Sequence, residues 1–112
     1  MATKMFLFPV PAGNTEALKA TFVEMAGSRE GQCVANRGVM GVTREYVCLQ
    51  HTPTGDVVVA YLEGDDPDKA GERMMASDSE YARWIASDVM PLLGHGTDDP
   101  FPSTEVLADW RA

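Results

Sequence analysis

At 112 residues the chain has the length of one domain and enough residues to bury a substantial hydrophobic core. Hydrophobic residues make up 45% and charged residues 23%, which excludes the charged, apolar-poor composition of disordered proteins. The net charge of −8 argues against nucleic acid or an anionic membrane as a partner, because phosphates are bound by clustered Lys and Arg side chains. We therefore expect residues 1–112 to form one domain that folds unaided.

The apolar runs and the two cysteines predict a cytosolic protein. The run Met5–Phe8 is too short and too close to prolines for a signal peptide, and the longest apolar run, Val57–Leu62, is too short to span a membrane. Cys33 and Cys48 stand in no metal-ligand spacing. In a reducing compartment we expect both to be free thiols.

The N-terminal half predicts a strand followed by two helices. The strand covers Thr3–Val10, and the first helix begins after the capping residue Asn14 and ends at Gly27. A second, less regular helix is predicted over residues 28–41, although two glycines in its interior each cost about 1 kcal/mol relative to Ala.

A β-hairpin is the strongest local prediction. Residues Val42–Thr52 alternate polar and apolar side chains, and Val57–Glu63 is rich in β-branched and aromatic residues. Between them, residues 52–56 supply a Pro and a Gly where a tight turn needs them. Cys48 falls in mid-strand, where we expect it to be buried and unreactive.

The C-terminal half predicts two helices and a final strand. One helix opens at Asp66, which is followed by Pro at the first helical position, and runs through Met75. The next begins at a capping box formed by Ser77 and Glu80 and continues as an apolar stripe. The segment Thr104–Trp110 is predicted to close the chain as an edge strand.

This order of elements predicts a ferredoxin-like α+β fold, a four-stranded antiparallel sheet with the helices on one face. The strand segments Met5–Phe8 and Val57–Leu62 are apolar on both faces, so the face without helices needs a cover. A second copy of the chain supplies one, which predicts a homodimer. The alternative is that this face stays an apolar surface over which long helical side chains wrap.

With this element order and the hairpin sequence over residues 45–56, the chain resembles the dimeric α+β barrel superfamily. That group includes antibiotic-biosynthesis monooxygenase-like proteins, haem-degrading monooxygenases and stress-responsive barrel proteins. The resemblance implies a cavity between helices and sheet, where several members use a Trp, a His and an Asn in oxygen chemistry or haem ligation. Trp84 and His95 fit that pattern. The Asn of the first strand has no counterpart, because Asn14 lies after that strand, and this departure argues against the haem and oxygenase functions.

Motifs for phosphate binding, zinc binding and nucleophilic hydrolysis are missing, so the sequence predicts no cofactor and no metal site. The two histidines lie where strands end or loops begin, and aromatic side chains with a polar group suit a small-molecule pocket. Each of these residues also has an ordinary structural interpretation, as a packed aromatic or a surface residue. The predicted ligand-binding residues are, in falling order, Trp84, Tyr81, His95, His51 and Tyr61; no catalytic residue is identified.

Three functions remain open from the sequence. The leading hypothesis is a homodimeric α+β barrel that binds a small, largely apolar molecule between helices and sheet. The second is a cofactor-independent monooxygenase-like enzyme acting on an aromatic or polyketide-like substrate. The third is a structural or regulatory dimer without a pocket.

Overall fold

The computed structural model, which describes residues 2–96 and 98–111, has three strands in one antiparallel sheet with the order β1-β3-β2. The strands are β1 Ala2–Pro9, β2 Val42–Thr52 and β3 Gly55–Gly64. The helices are α1 Thr15–Ala26, α2 Glu30–Met40, α3 Ala70–Ala76 and α4 Glu80–Trp84. A 3-10 turn, Pro67–Lys69, precedes α3, and a π turn, Ile85–Val89, and a 3-10 turn, Met90–Leu93, follow α4. The predicted α+β class is confirmed.

The register of the sheet divides its side chains between two faces. Phe6 of β1 and Val47 of β2 both pair with Ala60 of the central strand, so all three share one face. We call this helix-covered side the inner face; its apolar members include Phe6, Phe8, Val47, Leu49, Val58, Ala60 and Leu62, and Lys4 and Glu45 lie on it opposite Leu62. The opposite side, the outer face, consists of Met5, Leu7, Tyr46, Cys48, Val59 and Tyr61.

Helix α1 packs on the inner face through side chains at helical spacing. Leu18 is 1% exposed, and Phe22 and Met25 follow it on the same side, whereas Val23 is exposed. Asn14 occupies the capping position, as predicted, but its side chain makes no capping hydrogen bond. Its amide nitrogen Nδ2 instead donates to the carbonyl oxygen of Leu92, at 3.1 Å. Asn14 thus ties the start of α1 to the segment after α4.

Helix α2 forms despite its interior glycines, which confirms the prediction for this region. Its buried side carries Cys33, Asn36 and Met40, at the spacing of three and four residues that places side chains on one face. Gly41 ends the helix with φ of 72°, a left-handed conformation that glycine adopts without steric penalty. Tertiary packing of this side offsets the weak helix propensity.

The predicted hairpin is confirmed, with a register shift near its open end. Between Val42 and Arg44 the strand β2 carries a bulge, so that both Val42 and Glu45 pair with inner-face positions of β3 although they lie three residues apart. Cys48 is exposed on the outer face, and the prediction that it is buried is wrong. The two cysteines are free, as predicted.

Helix α4 begins differently from the prediction. The residue at the capping position is Ser79, whose hydroxyl oxygen accepts a hydrogen bond from the backbone N–H of Ala82 at 3.1 Å, so the predicted Ser77 capping box is wrong. The helix then widens into the π turn before Pro91, which has no N–H to continue α-helical bonding. Among the described residues, no helix is long and apolar enough to cross a membrane.

The segment predicted as a fourth strand, Thr104–Trp110, has no regular secondary structure, and three strands account for the sheet in the described part of the chain. Three of its apolar side chains lie in solvent: Val106, Leu107 and Trp110 are 75%, 92% and 92% exposed. The segment passes beside Thr3, Met5 and Tyr61 without pairing with β1. The sheet in the described part of the chain therefore has three strands and not the predicted four.

The core consists of two clusters on the inner face. One is built around Leu18, Val58 and Tyr81, and the other around Phe6, Met40 and Leu62. Phe8, Met74 and Phe101 are half-buried and pack against both clusters. Burial of one such large apolar side chain contributes about 1.5–3 kcal/mol, so the two clusters hold the helices on the sheet.

Candidate functional site

A cavity of about 130 Å³ lies between the helices and the inner face, where the two core clusters meet. Its wall is mostly apolar, with a large share of aromatic rings and thioethers. The rings are Phe6, Phe8, Phe22 and Phe101, and the methionines are Met25, Met40, Met74 and Met90. Small-molecule sites commonly measure roughly 300–1,000 Å³, so a cavity of this volume suits a ligand no larger than one ring.

Three polar side chains reach the wall of this apolar cavity: Asn36 from α2, Glu45 from β2 and Tyr81 from α4. Asn36 is 6% exposed, and its carbonyl oxygen Oδ1 has no hydrogen-bond partner among the described residues. An unpaired buried acceptor costs about 1–3 kcal/mol. A hydrogen-bond donor of a ligand in the cavity would pair with this oxygen. Asn36 is therefore a candidate for polar recognition of a ligand.

The carboxyl group of Glu45 is electrostatically unusual. Glu45 is exposed by its surface area, yet the apolar side chains that pack around it reduce the hydration of its carboxyl group and thereby raise its pKa. The guanidinium group of Arg37 opposes this shift in the pKa of Glu45. The cavity therefore has, at its rim, a carboxyl group that is reached by solvent and has a raised pKa.

Tyr81 is 6% exposed and remains protonated at physiological pH. Burial is the main cause that raises the pKa of its hydroxyl group, and its hydrogen bond with the thiol of Cys33 raises that pKa further. The negative charge of Glu45 acts in the same direction, and Arg29 opposes it. Tyr81 thus presents a neutral hydroxyl group beside the cavity.

A cleft of about 340 Å³ at the surface, the outer cleft, lies beside the cavity. The two spaces share the side chains of Phe22, Met25, Glu45 and Val47, and the outer cleft also reaches Cys33 and Arg37. Glu45 therefore stands at the boundary between the inner cavity and the outer cleft.

Of the predicted binding residues, Tyr81 lines the cavity, whereas Trp84 lies beside it. The ring of Trp84 is 5.7 Å from that of Tyr81, and the guanidinium carbon Cζ of Arg29 lies 4.2 Å from the Trp84 ring centroid. This cation–π contact stabilises the position of the indole beside Tyr81. Trp84 supports the wall without forming it.

His95 is 8% exposed and stacks among aromatic rings behind the cavity. Its ring centroid lies 4.8 Å from that of Phe101 and 5.9 Å from that of Phe8. The ring nitrogen Nε2 lies 3.3 Å from the carbonyl oxygen of Pro100, and the buried Nδ1 has no partner among the described residues. His95 thus positions the two Phe rings that line the cavity.

His51 and Tyr61 lie away from the cavity. His51 is exposed at the hairpin end, where its Nδ1 lies 2.6 Å from Oδ1 of Asp56. The hydroxyl group of Tyr61, on the outer face, donates to Oε1 of Glu63 at 2.9 Å. The structure therefore does not bring the five predicted residues together at one place.

Sequence reasoning missed Asn36 and Glu45. Asn36 was detectable as a polar residue three positions after Cys33 and four before Met40, on the apolar stripe of a helix. Glu45 alternates with Val47 and Leu49 on one side of β2, which placed it on whichever face that strand buries. The alternation leaves open which face that is, so Glu45 carried the weaker signal.

Neither a search for metal ligands nor comparison with known proteins identifies the function of the site. Within residues 2–96 and 98–111, no cluster of three or more His, Cys, Asp or Glu side chains is placed to hold a metal ion. No known protein family matches the chain, and comparisons with curated proteins and with solved structures found no match. The resemblance to the dimeric α+β barrel superfamily stays a prediction of the sequence.

Proposed function

We propose that this protein binds a small, largely apolar molecule in the cavity between helices and sheet. The observation that carries the proposal is the unpaired, buried Oδ1 of Asn36 in an otherwise apolar wall. Binding pockets combine apolar walls with a few convergent polar groups, and Glu45 and Tyr81 complete such a set here. The outer cleft shares four side chains with the cavity, and we infer that a ligand enters from that side.

We further propose that the outer face pairs with the outer face of a second copy, giving the homodimeric α+β barrel. Met5, Leu7 and Tyr46 are 50%, 52% and 56% exposed and adjoin one another through β3, so they form a continuous apolar patch. Two-fold pairing buries the same patch on both copies. The free thiols agree with the reducing, cytosolic location that we infer for this dimer.

Methionine NMR tests the binding proposal directly, because methionines lie inside and outside the cavity. With methyl-¹³C-labelled methionine and added benzene, the signals of Met25, Met40, Met74 and Met90 are expected to shift, and that of Met5 to stay. Benzene is a single small ring and therefore within the ligand size that the cavity volume of about 130 Å³ suits. Unchanged cavity signals at saturating benzene would overturn the proposal.

Two neighbouring substitutions on β3 provide the control. Ala60→Leu fills the cavity from the inner face and is expected to abolish the benzene shifts, whereas Val59→Leu adds volume on the outer face and is expected to leave them. Far-UV circular dichroism confirms that both variants fold. Equal loss of binding in the two variants would contradict the location of the site.

The monooxygenase-like alternative is tested separately. Oxygen uptake in the presence of one-ring aromatic compounds, compared between the parent protein and Ala60→Leu, would reveal turnover in this cavity. Uptake that Ala60→Leu abolishes would make the protein an enzyme as well as a binder.

A further inference from the structure

We propose that the cavity takes a small protonated amine, with its ammonium group between Asn36 and Glu45 and its apolar body among the Phe rings. This inference rests on the proposed binding function and names the chemical class of the ligand. Three features support it: the hydrogen-bond acceptors at the cavity wall, the Phe rings that line the cavity, and the charges at the wall.

The polar groups at the cavity wall are suited to receive hydrogen atoms. The buried Oδ1 of Asn36 is an acceptor without a partner among the described residues. The ionised carboxylate of Glu45 has acceptor oxygens and no donor. The hydroxyl oxygen of Tyr81 adds acceptor capacity. An ammonium group has three donors and no acceptor, so it matches this set and leaves none of its own groups unpaired.

The charge at the cavity wall favours a cation. None of the described Lys and Arg side chains lines the cavity. Arg37 lines only the outer cleft, Lys4 lies 5.4 Å from the centroid of the Phe6 ring, and Arg73 donates to the carbonyl oxygen of Met40. Glu45 is exposed at the rim, but neighbouring apolar side chains raise the pKa of its carboxyl group, so a bound ammonium group would stabilise its charged form. A carboxylate ligand would be repelled by the same group.

The apolar part of the wall suits the rest of such a ligand. Four Phe rings and four methionines line the cavity, and aromatic faces attract cations as well as apolar groups. The volume of about 130 Å³ limits the ligand to a single ring or a short chain. Flexible thioethers adapt the wall to that shape.

Three compounds of nearly equal shape separate the chemistry of the head group from size: cyclohexylamine, cyclohexanol and methylcyclohexane. Each is titrated into the full chain at pH 7, and the shifts of the four cavity methionines give the dissociation constants. We expect cyclohexylamine to bind at least about tenfold more tightly than cyclohexanol, since hydrogen bonds to charged groups are the stronger ones.

Variants assign the effect to the named groups. Glu45→Gln and Asn36→Leu are each expected to weaken cyclohexylamine binding about tenfold or more. Glu45→Gln should change cyclohexanol binding much less than it changes amine binding. Glu63→Gln, a matched change on the outward side of β3, should leave both affinities unaltered.

Failure of this inference is distinguishable from failure of the proposed function. If cyclohexanol or methylcyclohexane binds as tightly as the amine, or if Glu45→Gln leaves the amine affinity unchanged, the amine inference is overturned while the cavity remains a binding site. If none of the three compounds, nor benzene, shifts the cavity methionines, both proposals fall.

Discussion

The inner and outer faces of the sheet use the same three strands and similarly apolar residues, yet their surroundings differ. On β1, Phe6 is 6% exposed under the helices, whereas its neighbour Leu7 is 52% exposed on the other side. The inner face surrounds a cavity, and the outer face has no cover within the described chain apart from the nearby C-terminal segment. Hydrophobic strand composition thus indicates that a face needs a cover, but not what supplies it.

The largest expected difference between the faces is in stability. Phe6→Ala removes a ring that packs with Phe8 and Phe101 and is expected to lower the free energy of unfolding by about 3–5 kcal/mol. Leu7→Ala, measured by urea denaturation at a concentration too low for dimers, is expected to cost less than about 1 kcal/mol. Equal losses for the two variants would mean that the outer face is already covered within one chain.

Self-association is the next expected difference. Leu7→Glu places a carboxylate at the centre of the apolar patch and is expected to weaken the proposed dimer about a hundredfold or more, because an interfacial charge without a partner is costly. Sedimentation velocity at micromolar concentrations measures the effect, with Lys19→Glu on exposed α1 as the control. A parent protein that sediments as a lone subunit would rule out the dimer.

The labelling rates of the two cysteines compare the exposure of the outer face with that of the helix-covered side. Cys48 is exposed on the outer face, and Cys33 is half-buried beside Tyr81, so a thiol reagent should label Cys48 several times faster in dilute solution. If a second copy covers the outer face, the labelling rate of Cys48 falls as protein concentration rises, and that of Cys33 does not. A concentration-independent rate for Cys48 would contradict the pairing of outer faces.

The smallest effect concerns the charge of Glu45. Its pKa is raised in the folded state, so folding takes up a proton, and stability falls as pH rises from the unfolded pKa to the folded one. Glu45→Gln removes this dependence, while the neighbouring charge of Arg37 and the hydroxyl of Tyr81 stay in place. We expect the variant to gain stability relative to the parent from pH 4 to pH 7.

Thermal unfolding at both pH values measures this change, with Glu63→Gln as the comparison on the opposite face. A relative stability of Glu45→Gln that is independent of pH would show that its carboxyl group is fully hydrated.

Local signals were enough to predict most of the elements. The Pro and Gly of the hairpin turn and the glycines after α1 and α2 act within a few residues, so their consequences can be read from the sequence. Contacts between distant residues cannot be read in this way. The side chain of Asn14 donates to the carbonyl oxygen of Leu92, and the guanidinium group of Arg29 lies over the ring of Trp84. In each case the structural role of the side chain depends on a residue far away in the sequence.

The candidate site was predicted less well than the fold, because it depends on which face the helices cover. The bulge after Val42 interrupts the alternation of β2, and no local pattern announces it. The same uncertainty placed Cys48 inside when it lies outside. The fourth strand failed for a related reason, since Thr104–Trp110 finds no hydrogen-bonding partner within the described chain despite its strand-like sequence.

Phe101 belongs to a loop, although it forms one wall of the cavity. Its ring lies so near the backbone of Gly71 that a Cβ atom there would come within 2.8 Å of it, so only glycine leaves room for the ring. Any larger residue at position 71 would therefore displace the Phe101 ring, so the shape of the cavity depends on a glycine that does not itself contribute a side chain to it.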